Sequence, residues 1–380
     1  MYINAIILLK SGVYMENIEK TLIVGVELPG EESEESLDEL KELVKAAGGQ
    51  VLASSIQKRE RIDSKYYIGK GKVDEIKDIS DKMDIDLIVF NNELSPGQLR
   101  NLEDVINKKI IDRTTLILDI FSRRATSKEG KLQVELAQLK YFMPRLTGMR
   151  DYLSREGGGI GTRGPGEQKL ETDRRHIQKK INNIELKLKQ IERERELKRK
   201  KRTSSNIPLV ALVGYTNAGK STILNKIISK HSASDKQVYS EDMLFATLDT
   251  AHRKAKLLNG KEVIFVDTVG FVSKLPTKLV EAFKSTLEEI KYADLIVHVI
   301  DSSNKNIDLQ IKTTLGIIKD LGANQIPMIN VFNKIDKISK DELIFDMDDI
   351  DTRIFISALD DNDIDNLLKK IEEKLISSKK

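Results

Sequence analysis

Residues 214–221 read Gly-Tyr-Thr-Asn-Ala-Gly-Lys-Ser and match the phosphate-binding pattern G-x-x-x-x-G-K-[ST]. The apolar run Leu209–Val213 predicts a buried strand before this loop, and Thr222–Ser229 predicts a helix after it. Backbone N–H groups of such a loop form a concave anion site, to which the N-terminus of the following helix adds its dipole. The motif therefore restricts this part of the chain to a strand–loop–helix unit of an α/β fold.

The side chains of the loop indicate a nucleoside triphosphate as the ligand. Lys220 is expected to reach the β- and γ-phosphates as a catalytic group, and the Ser221 hydroxyl is expected to ligate Mg²⁺. The backbone expected to surround the phosphates belongs to Gly214, Tyr215, Thr216, Asn217, Ala218 and Gly219. The alternative is a chance match in a loop, against which the flanking strand and helix argue.

A second motif, Asn333-Lys334-Ile335-Asp336, predicts guanine as the base. The Asp336 carboxylate can accept hydrogen bonds from guanine N1–H and from the exocyclic amine, and adenine offers neither. A buried, unpaired carboxylate would therefore penalise ATP. Asn333 is expected to bond the base edge and tie it to the phosphate loop, while the stem of Lys334 packs on the ring.

Three other segments complete a guanine-nucleotide site. Asp267 is expected to hold Mg²⁺ through water, and the Gly270 N–H to meet the γ-phosphate as a catalytic group, in the segment Asp267, Thr268, Val269 and Gly270. The first switch is expected at Phe245, Ala246, Thr247, Leu248 and Asp249, with Thr247 as catalytic group and second Mg²⁺ ligand and Thr250 as the alternative. A backbone N–H near guanine O6 is expected from the segment Ser357, Ala358 and Leu359. The order of these motifs along the chain is that of an unpermuted GTP hydrolase.

Phe271 stands directly after the Asp-x-x-Gly segment, where Ras-like proteins carry a Gln that orients the attacking water. A phenyl ring cannot hydrogen-bond water. We therefore expect slow intrinsic hydrolysis that a partner accelerates. The alternative is a hydrophobic switch residue without catalytic meaning.

Short apolar runs alternate with helical stretches over residues 21–112, which predicts an α/β unit with a largely parallel sheet. The expected strands are Thr21–Leu28, Val51–Ile56, Asp86–Phe90 and Lys109–Asp112, and the expected helices are Leu37–Ala47, Val73–Lys82 and Pro96–Asn107. The segment Gly69-Lys-Gly-Lys72 is expected as a surface turn, with phosphate contact as the alternative.

Two narrow apolar seams predict an antiparallel helical hairpin in the middle of the chain. The seams are Leu132, Leu136, Leu139, Met143 and Leu146, and then Ile177, Ile181, Ile184, Leu188 and Ile191. Between them residues 157–166 hold six Gly, and Arg155 and Arg163 lie beside or within this stretch. We interpret the stretch as a functional tip, with a bare linker as the alternative; Thr203–Pro208 is expected as the linker to the next domain.

The charge distribution suggests a polyanionic partner for the hairpin, with a solvated helix pair of Lys-biased composition as the alternative. Residues 121–202 hold 23 Lys and Arg against 11 Asp and Glu, although the whole chain is only +3. The chain has no Cys, which excludes a disulfide scaffold and thiol catalysis and suits a reducing cytoplasm. No apolar run reaches the length of a membrane span, and the four His residues show no metal-ligand spacing.

These motifs resemble those of the HflX family of ribosome-associated GTPases. The likeness extends over residues 20–380 and is most specific at Ser154-Arg-Glu-Gly-Gly-Gly-Ile-Gly-Thr-Arg-Gly-Pro-Gly-Glu. It is also carried by the stretches starting at Tyr67, Asp112, Glu171, Gly214, Phe245 and Asp267. The expected fold is α/β: an extension over 1–20 (with Met15 as the alternative start), an N-terminal α/β domain over 21–125, the hairpin over 126–202, and a Ras-like P-loop G domain over 203–380.

The resemblance implies a cytoplasmic GTPase, partly associated with ribosomes or a membrane surface, that binds the large (50S) ribosomal subunit and splits or rescues ribosomes under stress. The hairpin and its tip would contact rRNA, GTP or GDP and Mg²⁺ would be bound, and the protein would be a monomer off the ribosome. Some members bind ATP through the N-terminal domain, but the sequence holds no second phosphate loop. The alternative is an RNA-remodelling or ribosome-assembly factor in which GTP only gates binding.

Overall fold

The computed structural model describes residues 18–30, 33–148, 165–204, 207–231, 244–245, 251–273, 279, 283, 287–338 and 352–377. These residues fall into two compact units that divide between Leu116 and Ile117. Each unit is built around one β-sheet, with four strands in the first and six in the second. The α/β class expected from the sequence is confirmed.

The first unit has four parallel strands in the order β2-β1-β3-β4. Its elements are β1 (Lys20–Glu27), α1 (Ser33–Ala46), β2 (Gln50–Lys58), α2 (Lys70–Lys82), β3 (Leu87–Phe90), α3 (Pro96–Ile106) and β4 (Lys109–Asp112). Every residue of β3 is buried, as expected for a parallel strand covered on both faces. Helix α3 begins where the sequence predicts, because Ser95 and Gln98 form a capping box before it.

One local prediction for this unit was wrong, and a helix that starts in it was missed. Residues 69–72 do not form a surface turn, because Gly69 is the N-cap of α2 and Lys70–Lys72 form its first turn. The apolar period begins only at Val73, so it could not show the polar first turn. Helix α4 (Arg113–Arg124) was not expected; it follows β4 without a loop, and the Asp112 carboxylate accepts from Thr115 N at 2.9 Å, as an N-cap does.

The helical hairpin consists of α5 (Lys128–Gly148) and α6 (Pro165–Ser204). The side chains of the two expected seams pack together, namely Leu132, Leu136, Leu139 and Met143 against Ile177, Ile181, Ile184 and Leu188. Ion pairs join the helices at Glu129–Arg195 (2.6 Å) and Lys140–Glu185 (2.8 Å), which fits an antiparallel pair. The hairpin prediction is confirmed.

The predicted limits of the hairpin need two changes. Pro165 and Gly166 were placed in the tip, but α6 begins at Pro165, since Pro is favoured in the first turn of a helix. Thr203 and Ser204 were placed in a linker, but they continue α6. Residues 157–164 of the tip lie outside the described ranges.

The second unit also contains a six-stranded sheet in the order β10-β9-β8-β5-β7-β6. Its elements are β5 (Leu209–Gly214), α7 (Lys220–His231), β6 (Ala251–Lys256), β7 (Glu262–Asp267), β8 (Leu295–Asp301), α8 (Ile307–Asp320), β9 (Met328–Asn333), β10 (Arg353–Phe355) and α9 (Asp361–Ser377). The strands are parallel except β6, which pairs antiparallel with β7. Strands β5, β7 and β9 end at Gly214, Asp267 and Asn333, from which three of the guanine-nucleotide motifs begin, so the parallel sheet places those motifs along one edge.

None of the helices in the described part of the chain combines the length and apolar character that crossing a bilayer requires.

His298 lies in the middle of β8 and is buried. Its Nδ1 is 2.9 Å from the Asn330 side-chain oxygen on β9. Burial lowers the pKa of His298 from 6.5 to about 4; the nearby Lys220 charge lowers it further and the Asn330 contact opposes the shift. His298 is therefore neutral at physiological pH.

We expect His298 to make the protein acid-sensitive. Because its folded pKa is depressed, its contribution to stability is complete above pH 6.5 and is lost as the pH falls towards 4. The loss is about 3 kcal/mol of unfolding free energy, at about 1.4 kcal/mol per pKa unit. Urea titrations of the wild type and His298→Gln across this range should show a shallower pH dependence for the variant. Parallel curves would exclude this role for His298.

Candidate nucleotide-binding site

The phosphate loop joins β5 to α7, and two of its glycines are required by close approaches. Gly214 has φ 152°, and a Cβ there would lie 2.1 Å from the Val299 carbonyl oxygen. Gly219 has φ 98°, and a Cβ there would lie 2.2 Å from Asn333 Nδ2. Only glycine allows the loop to lie against β8 on one side and the Asn-Lys-x-Asp segment on the other.

Lys220 is the first residue of α7 and is buried beneath the loop. Its Nζ donates to the carbonyl oxygens of Gly214 (3.0 Å) and Tyr215 (2.8 Å). Burial lowers the pKa of Lys220 to about 8; the Asp267 carboxylate opposes this shift and the Lys334 charge adds to it. The ammonium group is thus held in the loop at a cost that an anionic ligand would offset.

We expect this lowered pKa to appear in nucleotide binding. A bound phosphate favours the charged form of Lys220. When the pH is above the Lys220 pKa of about 8 in the nucleotide-free protein, nucleotide binding must therefore take up a proton. Affinity for GDP should fall by up to about tenfold per pH unit above that value and be flat below it. Calorimetry in two buffers of different ionisation enthalpy should show proton uptake at about pH 9 and none at about pH 7. Binding without proton uptake at the higher pH would contradict the assignment.

Ser221 and Asp267 form the part of the expected magnesium site that the structure describes. The Ser221 hydroxyl donates to Asp267 Oδ2 at 2.6 Å, and Asp267 is fully buried at the end of β7. A hydroxyl and a carboxylate oxygen side by side suit Mg²⁺, which prefers hard oxygen ligands and completes its shell with water and phosphate. When bound, the ion would neutralise phosphate charge. The described ranges hold no cluster of three acidic or His side chains, and Thr247 lies outside them.

The segment after β7 is joined to the phosphate loop through its backbone. Phe271 N donates to Gly214 O (3.2 Å), and Thr216 N donates to Phe271 O (2.8 Å). The Ser273 N–H also donates to the Tyr215 hydroxyl, a contact the sequence did not reveal. The Phe271 side chain is buried, with 1% of its surface exposed. The two loops that would meet a γ-phosphate are thus held in register.

The base-recognition motif is tied to the phosphate loop by Asn333. Its Nδ2 donates to Ala218 O at 2.8 Å, and its Oδ1 accepts from Ala358 N at 2.9 Å. Both ends of this buried amide are therefore used to join three segments that are distant in sequence.

Asp336 is exposed, whereas the sequence argument assumed a buried carboxylate. Its Oδ1 accepts from the Ser357 hydroxyl at 2.6 Å. The carboxylate can therefore become buried only when a base covers it, and only then would an unpaired carboxylate penalise a mismatched base. The amides expected near guanine O6 already donate within the protein: Ser357 N to Asp363 Oδ2 at 2.7 Å, Ala358 N to Asn333, and Leu359 N to the Ser357 hydroxyl at 3.3 Å.

Lys334 is positioned by a residue that the sequence analysis missed. Its backbone is left-handed at φ 66°, and its Nζ donates to Asp301 Oδ2 at 2.7 Å, with both side chains largely buried. The other Asp301 oxygen accepts from the N–H and hydroxyl of Ser303. Asp301 ends the strand Leu295–Asp301, and a carboxylate closing such an apolar run was the available signal.

Phe245 is the only residue of the expected first switch within the described ranges; Ala246, Thr247, Leu248, Asp249 and Thr250 lie outside them. Phe245 is buried with φ 57°, a rare conformation for a bulky side chain. Its ring meets that of Phe121 edge to face, with centroids 4.6 Å apart, and Phe121 meets Phe283 in the same way at 4.9 Å. The start of the first switch is thus packed on helix α4.

This arrangement defines a P-loop GTPase domain: a glycine-bounded phosphate loop, a buried carboxylate on the loop serine, and an Asn-Lys-x-Asp segment lie along one edge of a largely parallel sheet. Three sequence-family profiles match the chain. They are described as GTP-binding GTPase N-terminal (residues 34–122), GTP-binding GTPase Middle Region (124–202) and 50S ribosome-binding GTPase (209–334).

Similar proteins identify the family, and one solved structure resembles the chain. The chain is 52% identical to GTPase HflX of Caldanaerobacter subterraneus subsp. tengcongensis over 357 residues, covering 94% of this chain and 81% of the relative. It is 40% identical to GTPase HflX of Escherichia coli K12 over 359 residues, covering 94% and 83%. A crystal structure of SsGBP in complex with GDP matches with a TM-score of 0.50 at 27% identity, covering 94% of this chain and 99% of that one. The chain belongs to the GTPase HflX family and is a GTP hydrolase.

Proposed function

We propose that this GTPase binds the large ribosomal subunit and, in its GTP-bound state, splits or rescues ribosomes under stress. The observation that best supports the proposal is the basic helical hairpin in the same chain as a G domain of the 50S ribosome-binding class. On this proposal the protein acts in the cytoplasm, as a monomer when it is off the ribosome, with Mg²⁺ bound beside the nucleotide.

The hairpin has the charge expected of an rRNA-binding element. Residues 121–202 carry 23 basic against 11 acidic side chains, and most described charged side chains of α6 are exposed. Such charge supports salt-dependent, sequence-independent binding to nucleic-acid phosphates. Contacts to particular bases or grooves would then fall to the tip, which includes Arg163 and has Arg155 beside it.

The stem of the hairpin is built to hold the tip in place. Four apolar side chains of α5 pack against four of α6, and ion pairs join the two helices on either side of this seam. A stem packed in this way transmits a force or displacement better than a flexible linker of the same length.

The Phe121–Phe245 contact offers a route from the nucleotide to the hairpin. Phe245 lies two residues before Thr247, the expected γ-phosphate sensor, and Phe121 lies in α4, which ends four residues before α5 begins. An aromatic pair of this kind has one close-packed arrangement that a shift of either partner disrupts. A switch that moves when the γ-phosphate is lost would therefore alter the packing of Phe245 on α4, the helix that precedes the hairpin.

The proposal includes a slow intrinsic rate. Because Phe271 is buried and has no polar side-chain atom, it cannot orient water as the Ras glutamine does. We expect intrinsic hydrolysis on the order of 10⁻⁴–10⁻² s⁻¹. Large subunits should accelerate it.

Sucrose-gradient profiles test the proposal. Intact ribosomes would be incubated with the protein and GDP, GTP or a non-hydrolysable GTP analogue. We expect subunits to separate with GTP and with the analogue but not with GDP, because the GTP-bound form does the work and hydrolysis releases the protein. Co-sedimentation without splitting would instead support a GTP-gated RNA-remodelling or assembly factor. Absence from the large-subunit fractions would overturn both.

A further inference from the structure

GTP hydrolysis requires a polar group that orients the attacking water, and the residue at the usual place, Phe271, has none. Its ring is buried, and its backbone hydrogen-bonds the phosphate loop. A group that replaces the missing glutamine must be polar, must lie next to the expected γ-phosphate position, and must be available for a hydrogen bond.

Thr216, the third residue of the phosphate loop, meets the requirement of availability. The residue is buried, with 5% of its surface exposed. Its Oγ1 is buried and makes no hydrogen bond to any residue that the structure describes. Buried hydroxyls in native proteins are nearly always paired, so an unpaired one requires an explanation.

The position of Thr216 meets the second requirement. Its N–H donates to Phe271 O at 2.8 Å, so it lies directly beside the segment that follows β7. A Cβ built on Gly270 would lie 2.7 Å from Thr216 Cγ2 and 2.8 Å from Thr216 Cα. Gly270 is the residue whose N–H is expected to meet the γ-phosphate. The Thr216 hydroxyl is the other branch of the same Cβ, so it is attached to a carbon that lies against Gly270.

The methyl group of Thr216 restricts the orientation of its hydroxyl. A β-branched side chain has few χ1 positions, and contact of Cγ2 with Gly270 removes alternatives. The side chain is thus pre-organised: the methyl packs on the segment after β7 and the oxygen remains for a ligand.

We propose that Thr216 is a catalytic residue whose hydroxyl hydrogen-bonds the attacking water at the γ-phosphate. The water oxygen bonds to the γ-phosphorus as the bond from phosphorus to the β–γ bridging oxygen breaks, and that oxygen leaves with GDP. One water proton passes to the departing inorganic phosphate. Thr216 orients the water and keeps its own proton, so no base with a perturbed pKa is needed.

The test is a pair of substitutions that separates the two branches of the side chain. Thr216→Val keeps the shape and removes the oxygen, whereas Thr216→Ser keeps the oxygen and removes the methyl. Single-turnover GTP hydrolysis without ribosomes is the measurement, so the outcome does not depend on the proposed ribosomal function. Thr314→Val is the matched control, because Thr314 of α8 is fully buried and its Oγ1 also lacks a hydrogen-bond partner among the described residues.

We expect Thr216→Val to lower the hydrolysis rate at least about tenfold, as loss of one transition-state hydrogen bond does. Thr216→Ser should keep more than about half of the wild-type rate, and Thr314→Val all of it. Affinities of the Val variant for GDP and a non-hydrolysable GTP analogue should stay within about twofold of wild type, and its thermal midpoint should not fall.

Three results would overturn the proposal. Hydrolysis by Thr216→Val within about twofold of wild type would show that the hydroxyl is not used. Equal loss in the Ser and Val variants would assign the effect to the methyl contact with Gly270. Loss of nucleotide affinity or of folding in Thr216→Val would make the hydroxyl a binding or structural group.

Discussion

Asp336→Asn should lower the affinity for GTP at least about a hundredfold, since a site that hydrogen-bonds its ligand rejects a pairing that leaves polar groups unpaired once the base covers them. The Ser357 hydroxyl donates to Asp336 Oδ1 at 2.6 Å, and an asparagine oxygen can keep that bond. The new amide group would then face the base with N–H donors. Guanine presents N1–H and an amine at this edge, so donors would oppose donors.

The same substitution should raise the relative affinity for xanthosine triphosphate, because its 2-oxo group accepts from the new amide. Competition binding of the two nucleotides to wild type and variant measures the exchange. Asp320→Asn, at the exposed end of α8, removes the same charge away from the motif and should leave both affinities unchanged. Undiminished GTP binding by Asp336→Asn would remove Asp336 from the base site.

The strands that carry the site were predictable because their burial is two-sided. Strands β5 and β8 are buried along their whole length; β5 is an apolar run in the sequence, and β8 is one that only His298 interrupts before the closing Asp301. The edge strand β6, Ala251–Lys256, has the sequence Ala-His-Arg-Lys-Ala-Lys and no large apolar side chain, so its sequence gives no such signal. The strand forms because it can pair with the edge of β7, and that edge exists only in the folded sheet.

The hairpin was predictable for a related reason. A seam at alternating spacings of three and four residues is specific to one helix face, and two such seams on either side of a glycine-rich stretch have an obvious pairing. Helix α4 was missed because no turn or loop residues separate it from β4: the strand ends at Asp112, and the same residue caps the helix.

The contacts that finish the site could not be read from motifs. The match to Asn-Lys-x-Asp names Lys334 but not its partner Asp301, which lies 33 positions earlier and meets it only because β8 and β9 are neighbours. The contact between Phe121 and Phe245 depends likewise on packing. Motifs thus locate the groups that meet the ligand, and the fold supplies the groups that hold them.

Replacing residues 149–164 by a short turn should abolish ribosome splitting while intrinsic GTP hydrolysis stays at the wild-type rate. Helix α5 ends at Gly148 and α6 begins at Pro165, and antiparallel helices are commonly joined by two to five residues, so the stem can close without the tip. The packed seam and the ion pairs between the helices all lie outside the replaced segment. Gradient profiles and GTPase rates on one preparation measure both properties.

A pair of charge variants separates the tip from the general charge of the stem. Arg155→Gln with Arg163→Gln removes two positive charges beside and within the tip, and Lys187→Gln with Lys189→Gln removes two from exposed positions of α6. If the tip makes charge-assisted contacts to rRNA, the tip pair should lose most splitting activity at moderate salt. The stem pair should show only a weaker, salt-dependent loss of binding, since each phosphate contact contributes to the salt slope independently of sequence. Equal losses from the two pairs would mean that the tip contributes charge alone, and wild-type splitting by the shortened hairpin would make the tip a passive linker.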